Sequence, residues 1–274
     1  MLSDKNAPIG VFDSGVGGLT VAREIMRNLP NEKIVYFGDT ARVPYGSKSR
    51  DTVVRYSRQI VRFLQTQEVK AIVIACNTAS ALALDTIEKE IDIPIIGVVK
   101  PGASMAIEAT RNNRIGVIAT QSTIKSNLYQ TLIGQSNPEI TVYGKACPLF
   151  VPLVEEGWTK DPVTVEVAKR YLKELMEKDI DTLIMGCTHY PLLRHLLQEV
   201  IGDHVTLVNP AYETAQALKR MLKEMDLETE EILSEGCPEH RFFASDGVDN
   251  FSAYANTILP CEVSSTGLVA IESY

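Results

Sequence analysis

The chain has 274 residues, 45% hydrophobic and 23% charged, with a net charge of −8 and a pI near 5.2. That length sustains about two domains with full cores, and the acidic balance argues against a nucleic-acid or anionic-membrane surface, which requires a basic footprint. No apolar stretch approaches the roughly 20 residues that span a bilayer, and Met1 to Pro8 is polar with no signal-peptide core behind it, so a cytoplasmic protein is expected.

In chain order, the apolar run Ile9-Gly10-Val11-Phe12 reads as a strand that delivers Asp13-Ser14 and Gly15-Val16-Gly17-Gly18 into a helix starting near Leu19. Lys33 to Phe37 is a second strand, ending in Gly38-Asp39-Thr40 and followed by a loop with Pro44-Tyr45-Gly46. Val54, Ile60, Val61 and Leu64 recur at helical spacing from Asp51 to about Gln67. This helix feeds Ala71-Ile-Val-Ile-Ala-Cys76, a β-branched run without charge that reads as a strand buried on both faces. A helix is expected from there to about Glu90, then a buried strand over Pro94 to Val99 that ends in Lys100-Pro101.

The pattern then restarts. Ile115-Gly116-Val117-Ile118 echoes the first strand and ends in Ala119-Thr120, Asp161 and Pro162 suit the start of a helix running to about Lys178, and a second apolar run ends in Cys187-Thr188-His189. A duplication must keep one offset, and the landmarks give 115 − 9 = 106, 161 − 51 = 110, 187 − 76 = 111 and 210 − 101 = 109. Apolar positions coincide at Val54/Val165, Val61/Leu172, Leu64/Leu175, Val69/Ile180 and Ile74/Met185. The expected fold is α/β: two similar domains, each a mainly parallel sheet flanked by helices, with a cleft between them. Residues 1–99 plus 211–274 form the first domain and 100–210 the second. In the final stretch a helix at Glu213 to Glu224, a polar surface connection at Asp226 to Glu239 and strands near Arg241 to Ala244 complete the first domain.

The five cysteines, Cys76, Cys147, Cys187, Cys237 and Cys261, include no Cys-x-x-Cys pair, which argues against a disulfide framework or a zinc ribbon. Cys76 and Cys187 each end a buried strand at the turn into a helix, where unpaired N–H groups favour an anion. Two facing thiols, one ionised and one not, suit removal of a proton from one face of a carbon and its return from the other, which is racemisation or epimerisation. The alternatives are two inert core thiols, or a metal site of Cys76, Cys187, His189 and Asp13. A dinucleotide turn is a further alternative, since Asp39 lies 24 residues after Gly15 (39 − 15), but the spacing is Gly-x-Gly-Gly, and Asp13 would oppose a pyrophosphate. A hinged amino-acid binding protein without catalysis is another. Asp13 suits a substrate ammonium or a partner for Cys76, and His189 can relay a proton beside Cys187. Asn77, Thr78 and Thr188 offer donors for carboxylates, and Tyr45-Gly46 offers backbone N–H groups. The matching loop of the second copy holds Glu155-Glu156-Gly157 (157 − 46 = 111), where a glutamate can tune His189 or simply be solvated.

With these residues assembled, the chain resembles the bacterial glutamate racemases of the cofactor-independent aspartate/glutamate racemase superfamily. The resemblance rests on Gly10-Val-Phe-Asp-Ser-Gly-Val-Gly-Gly18, Asp39-Thr-Ala-Arg-Val-Pro-Tyr-Gly46, Ala75-Cys-Asn-Thr-Ala79 and Gly186-Cys-Thr-His-Tyr-Pro191. Aspartate racemases of the superfamily usually carry a glutamate where His189 stands, which favours glutamate, with aspartate or another acidic amino acid as the alternative substrate. The resemblance implies interconversion of L- and D-glutamate without pyridoxal phosphate, other cofactor or metal, supplying peptidoglycan synthesis, by a soluble homodimer. It implies that Cys76 takes the α-proton of D-glutamate while Cys187 returns one from the other face, the roles exchanging for L-glutamate. Asp13 and His189 would assist the thiols, with Asp39 and Glu155 as further candidates. Ser14, Tyr45, Gly46, Asn77, Thr78, Thr120 and Thr188 would hold the substrate.

Overall fold

The computed structural model describes residues 4–232 and 236–274. All five residues of β1 (Ile9–Asp13) are buried, as a strand without a polar face must be when helices cover both sides of its sheet. Gly15 to Gly18 turn the chain into α1 (Leu19–Asn28), which buries Leu19, Ala22, Ile25 and Met26 along one face. After β2 (Ile34–Gly38) come 3-10 turns at Thr40–Arg42 and Tyr45–Ser47, then α2 (Arg50–Thr66), where the Ser49 hydroxyl accepts the Thr52 N–H. β3 (Ala71–Ile74) leads to Cys76, the N-cap residue of α3 (Asn77–Leu82).

Two expectations fail in this region. The helix expected to reach Glu90 breaks at Ala83 (φ −119°) into α3 and a single turn, α4 (Leu84–Ile87). The strand expected over Pro94 to Val99 is only β4 (Ile95–Gly97), because the Val98 N–H donates to Ser80 Oγ (3.1 Å) rather than to a strand, and Val99 opens α5 (Val99–Ala109). Pro101 is tolerated in that first turn, where backbone N–H groups lack intrahelical acceptors anyway.

The second half repeats the plan with β5 (Arg114–Ala119), α6 (Gln121–Ser126), α7 (Leu128–Ser136) and β6 (Thr141–Ala146). α8 (Phe150–Glu155) then precedes α9 (Pro162–Met176), where Asp161 accepts the Val163 N–H at 2.8 Å behind Pro162, as the sequence indicates. β7 (Thr182–Gly186), α10 (Arg194–Ile201) and β8 (Thr206–Val208) close this half. The chain continues through α11 (Pro210–Glu224), β9 (Arg241–Ala244), α12 (Val248–Ile258) and β10 (Gly267–Leu268). Of the polar connection expected at 226–239, residues 233–235 lie outside the described residues.

The strands form a six-stranded sheet, β10-β9-β2-β1-β3-β4, and a four-stranded sheet, β6-β5-β7-β8, with parallel pairing throughout. The order β2-β1-β3-β4 is the order β6-β5-β7-β8, and equivalent positions make equivalent contacts. A Cβ on Gly10 would meet Leu64 and Val69 at 3.2–3.3 Å, and one on Gly116 would meet Ile180 and Leu175 at 2.6 and 3.5 Å. Each sheet carries an apolar layer on either face: Val11, Ile25, Leu218 and Phe251 against Phe12, Ile60, Leu64 and Ile74 in one, Val117, Ile133 and Ile184 against Ile118, Leu172 and Met185 in the other. Among the described residues no helix is long and apolar enough to cross a membrane. The carboxyl ends of β1 and β3 point Asp13 and Cys76 toward the place where β5 and β7 deliver Thr120 and Cys187, the position at which open α/β sheets bind ligands.

Candidate active site

Cys76 and Ser14 stand on one wall of the cleft, and Asp13, expected from sequence beside the ligand, is buried behind that wall and does not itself line the cleft. The Asp13 carboxylate is buried; Oδ2 accepts the Gly15 N–H at 3.0 Å, while Oδ1 has no hydrogen-bond partner. Burial raises its pKa, opposed by the charge of His189 and the N–H groups of Gly18, Gly15 and Ser14. Cys76 Sγ lies 3.5 Å from Ser14 Oγ and accepts the Ala79 N–H at 3.4 Å. Burial, then the Asp13 charge, push this thiol up to about 12 despite those contacts.

Cys187 and His189 form the opposite wall. Cys187 Sγ is 3.9 Å from His189 Nδ1, and His189 Nε2 is 2.9 Å from Glu155 Oε1. Burial disfavours the imidazolium, but hydrogen bonds to Cys187 and Glu155 prevail and hold its pKa at about 10, so the ring is charged at neutral pH. Glu155, read from sequence as part of a loop, is the last residue of α8, which aims it across at His189. The walls differ in kind: a buried carboxyl group lies behind Cys76 and an imidazole stands beside Cys187.

Gly17 lets the walls meet. A Cβ there would stand 2.4 Å from both His189 Cε1 and Thr188 Oγ1, and the buried Thr20 hydroxyl donates to the Thr188 carbonyl at 2.9 Å. Across the mouth, Thr78 and Thr120 hydroxyls lie 2.9 Å apart, Tyr129 donates to Asn77 Oδ1 at 2.8 Å, and Ser122 Oγ donates to the Gly46 carbonyl at 2.9 Å. These contacts enclose about 570 Å³ lined by Ser14, Tyr45, Gly46, Asn77, Thr78, Thr120, Glu155, Thr188, His189 and both cysteines, with Val43, Val151 and Pro152 as its apolar part.

Asp39 stands elsewhere. It is buried beneath the loop, accepting from Arg42 Nε (2.8 and 2.9 Å), Ser245 Oγ (2.9 Å) and the Tyr45 hydroxyl, and it does not line the cleft. It therefore anchors the Tyr45 loop rather than facing a ligand, and the Tyr45 hydroxyl is engaged with it. Sequence reading missed Thr20, Ser122, Tyr129 and Ser245. Each acts through a partner 52 or more residues away, so no local pattern marks it. Of the histidines outside the cleft, His195 and His204 are exposed, while burial lowers the pKa of His240 to about 4 as its Nδ1 accepts the Ile34 N–H. Among the described residues, no three His, Cys, Asp or Glu side chains stand together as a metal site.

Two sheets of one plan thus bring a pair of thiols, with their polar neighbours, to a single cleft. Residues 9–218 match the family described as Asp/Glu/Hydantoin racemase, and the chain belongs to that family, among its glutamate racemases. It is 47% identical over 265 residues to glutamate racemase from Geobacter metallireducens, 97% of each chain. The glutamate racemase isoform RacE1 from Bacillus anthracis superposes with a TM-score of 0.92 at 40% identity, over 97% of this chain and 98% of that one. Glutamate racemase from Francisella tularensis in complex with D-glutamate superposes at 0.90 with 42% identity, over 98% of this chain and 100% of that one.

Proposed function

We propose that the chain interconverts L- and D-glutamate by a two-thiol mechanism in which Cys76 and Cys187 act on opposite faces of the α-carbon. The observation that carries this reading is that both thiols line one cleft at equivalent strand ends, each with its own polar partners. Asn77, Thr78, Thr120 and Thr188, with Ser14 and the backbone at Gly46, supply donors for two carboxylates. Asp13, buried behind the wall of Cys76 with Oδ1 unpartnered, is read as the partner that acts on that thiol and on an incoming ammonium through its charge. The substrate's positive charge makes ionisation of the neighbouring thiol less costly, which a thiol raised to about 12 in the empty cleft requires. On the other wall the His189 imidazolium, held by Glu155, is placed to pass a proton to Cys187 after that thiol has given its own to the α-carbon. D-Glutamate made this way would supply peptidoglycan synthesis.

Incubation of L-glutamate in deuterated water tests the reading. Chiral chromatography should show D-glutamate accumulating with one solvent deuterium at the α-carbon, and L-aspartate should remain unchanged. Cys76→Ala and Cys187→Ala should each abolish conversion in both directions. Full activity in either variant overturns the two-thiol mechanism, and L-glutamate that binds without changing chirality overturns the racemase reading.

A further inference from the structure

Two cysteines that the cleft does not use share a groove on the far edge of the six-stranded sheet. Cys237 is exposed and Cys261 half-buried, and both line a groove of about 620 Å³ together with His240, Phe243, Glu262 and Gly267. Cys261 Sγ also lies 3.9 Å from Met26 Sδ, so its thiol sits on an apolar, polarizable base. Burial pushes the Cys261 thiol up, and the facing Cys237 side chain raises it further by charge and hydrogen bonding. The other thiols are the buried Cys76, Cys147 and Cys187. Oxidation selects thiols that are accessible and have a second thiol within reach, and the Cys237/Cys261 pair meets both conditions.

We propose that Cys237 and Cys261 form a modification site, which a hydroperoxide converts reversibly to an intrachain disulfide. The Cys237 thiolate attacks one peroxide oxygen; the O–O bond breaks, the departing oxygen leaves as water or alcohol, and the sulfur, oxidised by two electrons, becomes a sulfenic acid. Cys261 then attacks that sulfur, an S–S bond forms as the S–O bond breaks, and the hydroxide leaves with the Cys261 proton as water. With hydrogen peroxide the sum is two thiols and one peroxide giving one disulfide and two waters. The bridge spans 24 residues (261 − 237) and ties the stretch before β9 to the stretch that follows α12.

The experiment treats the folded full-length chain with one equivalent of hydrogen peroxide, blocks remaining thiols with N-ethylmaleimide, and maps the digest by mass spectrometry. A peptide joining Cys237 to Cys261, lighter by two hydrogens (about 2 Da) and restored by dithiothreitol, is expected. In Cys261→Ser the reaction should stop at a Cys237 sulfenic acid trapped by dimedone, and Cys237→Ser should give no bridge. Both variants should retain the unmodified chain's racemisation rate, which separates this site from the cleft. Alkylation of both cysteines after the peroxide is consumed, a bridge between two chains, or oxidation of Cys76 or Cys187 ahead of this pair overturns the proposal.

Discussion

Gly17 is the most exacting position in the cleft, and Gly17→Ala tests how tightly the two walls are held. The new methyl would sit 2.4 Å from His189 Cε1, 2.5 Å from His189 Nδ1 and 2.4 Å from Thr188 Oγ1. None of these can swing away cheaply: His189 is buried and bound to Glu155, and Thr188 is buried with its carbonyl held by Thr20. Gly17 does not sit at positive φ, so the cost is steric rather than conformational. Overpacking of this kind costs about 1–3 kcal/mol, and at roughly 2–4 °C per kcal/mol it should lower Tm by roughly 2–12 °C. On the proposed mechanism the larger effect falls on turnover, because relief by about 1 Å shifts His189 and Cys187 within the cleft, a displacement worth roughly 10²-fold in rate. Gly134→Ala on α7 is the control, with nothing within 4 Å of its new Cβ; it should leave turnover alone and stabilise the helix by about 0.5–1 kcal/mol. Thermal denaturation and steady-state racemisation of both variants decide the matter. A Gly17→Ala protein with unchanged Tm and turnover refutes the argument that this close approach sets the cleft.

Two further outcomes follow from buried charge. The His189 pKa is raised to about 10, so its charged form adds stability that is fully present below the unfolded value near 6.5 and lost as pH rises through 10. Glu155→Gln should remove part of this, about 1 kcal/mol because Glu155 is half exposed, with the gap to the unmodified chain greatest near pH 6 and closed above pH 10; urea titrations at the two ends should show it, and a gap that widens with pH contradicts the assignment. Lys70 Nζ is 2.6 Å from Glu32 Oε2, both side chains buried, in an ion pair whose angles are not those of a hydrogen bond. Lys70→Met should cost about 3–5 kcal/mol by stranding Glu32, and adding Glu32→Gln should recover most of it in the same denaturation assay.

The fold was legible where burial leaves a chemical trace. Runs such as Ala71 to Ile74 and Thr182 to Gly186 have no polar face, and the glycines at 10 and 116 keep step with Leu64/Leu175 and Val69/Ile180 because the same helix-on-sheet contact recurs. Both thiols and His189 were legible for the same reason: they end such runs. The short β4 was not, because its end is set by Ser80, 18 residues earlier, rather than by its own apolar residues. Asp39 shows the same limit. A carboxylate at a strand end reads as a ligand group, and only its contacts with Arg42, Tyr45 and Ser245 reveal an internal anchor. Tyr129 and Thr20 carry no local signal, because their contacts with Asn77 and Thr188 exist only once the halves meet.

The pairing of β9 with β2 joins Val35 to Arg241 across 206 residues (241 − 35), whereas β5 through β8 lie within 114–208. During synthesis the four-stranded sheet can therefore be finished while the other still exposes the edge of β2, an opening for mispairing with another chain. Ser245, which fixes Asp39 and through it the Tyr45 loop, emerges just after β9. The wall that carries Cys76 is thus the earliest part of the molecule to be made and the last to acquire its final shape, so a nascent chain holds both thiols well before it holds a cleft.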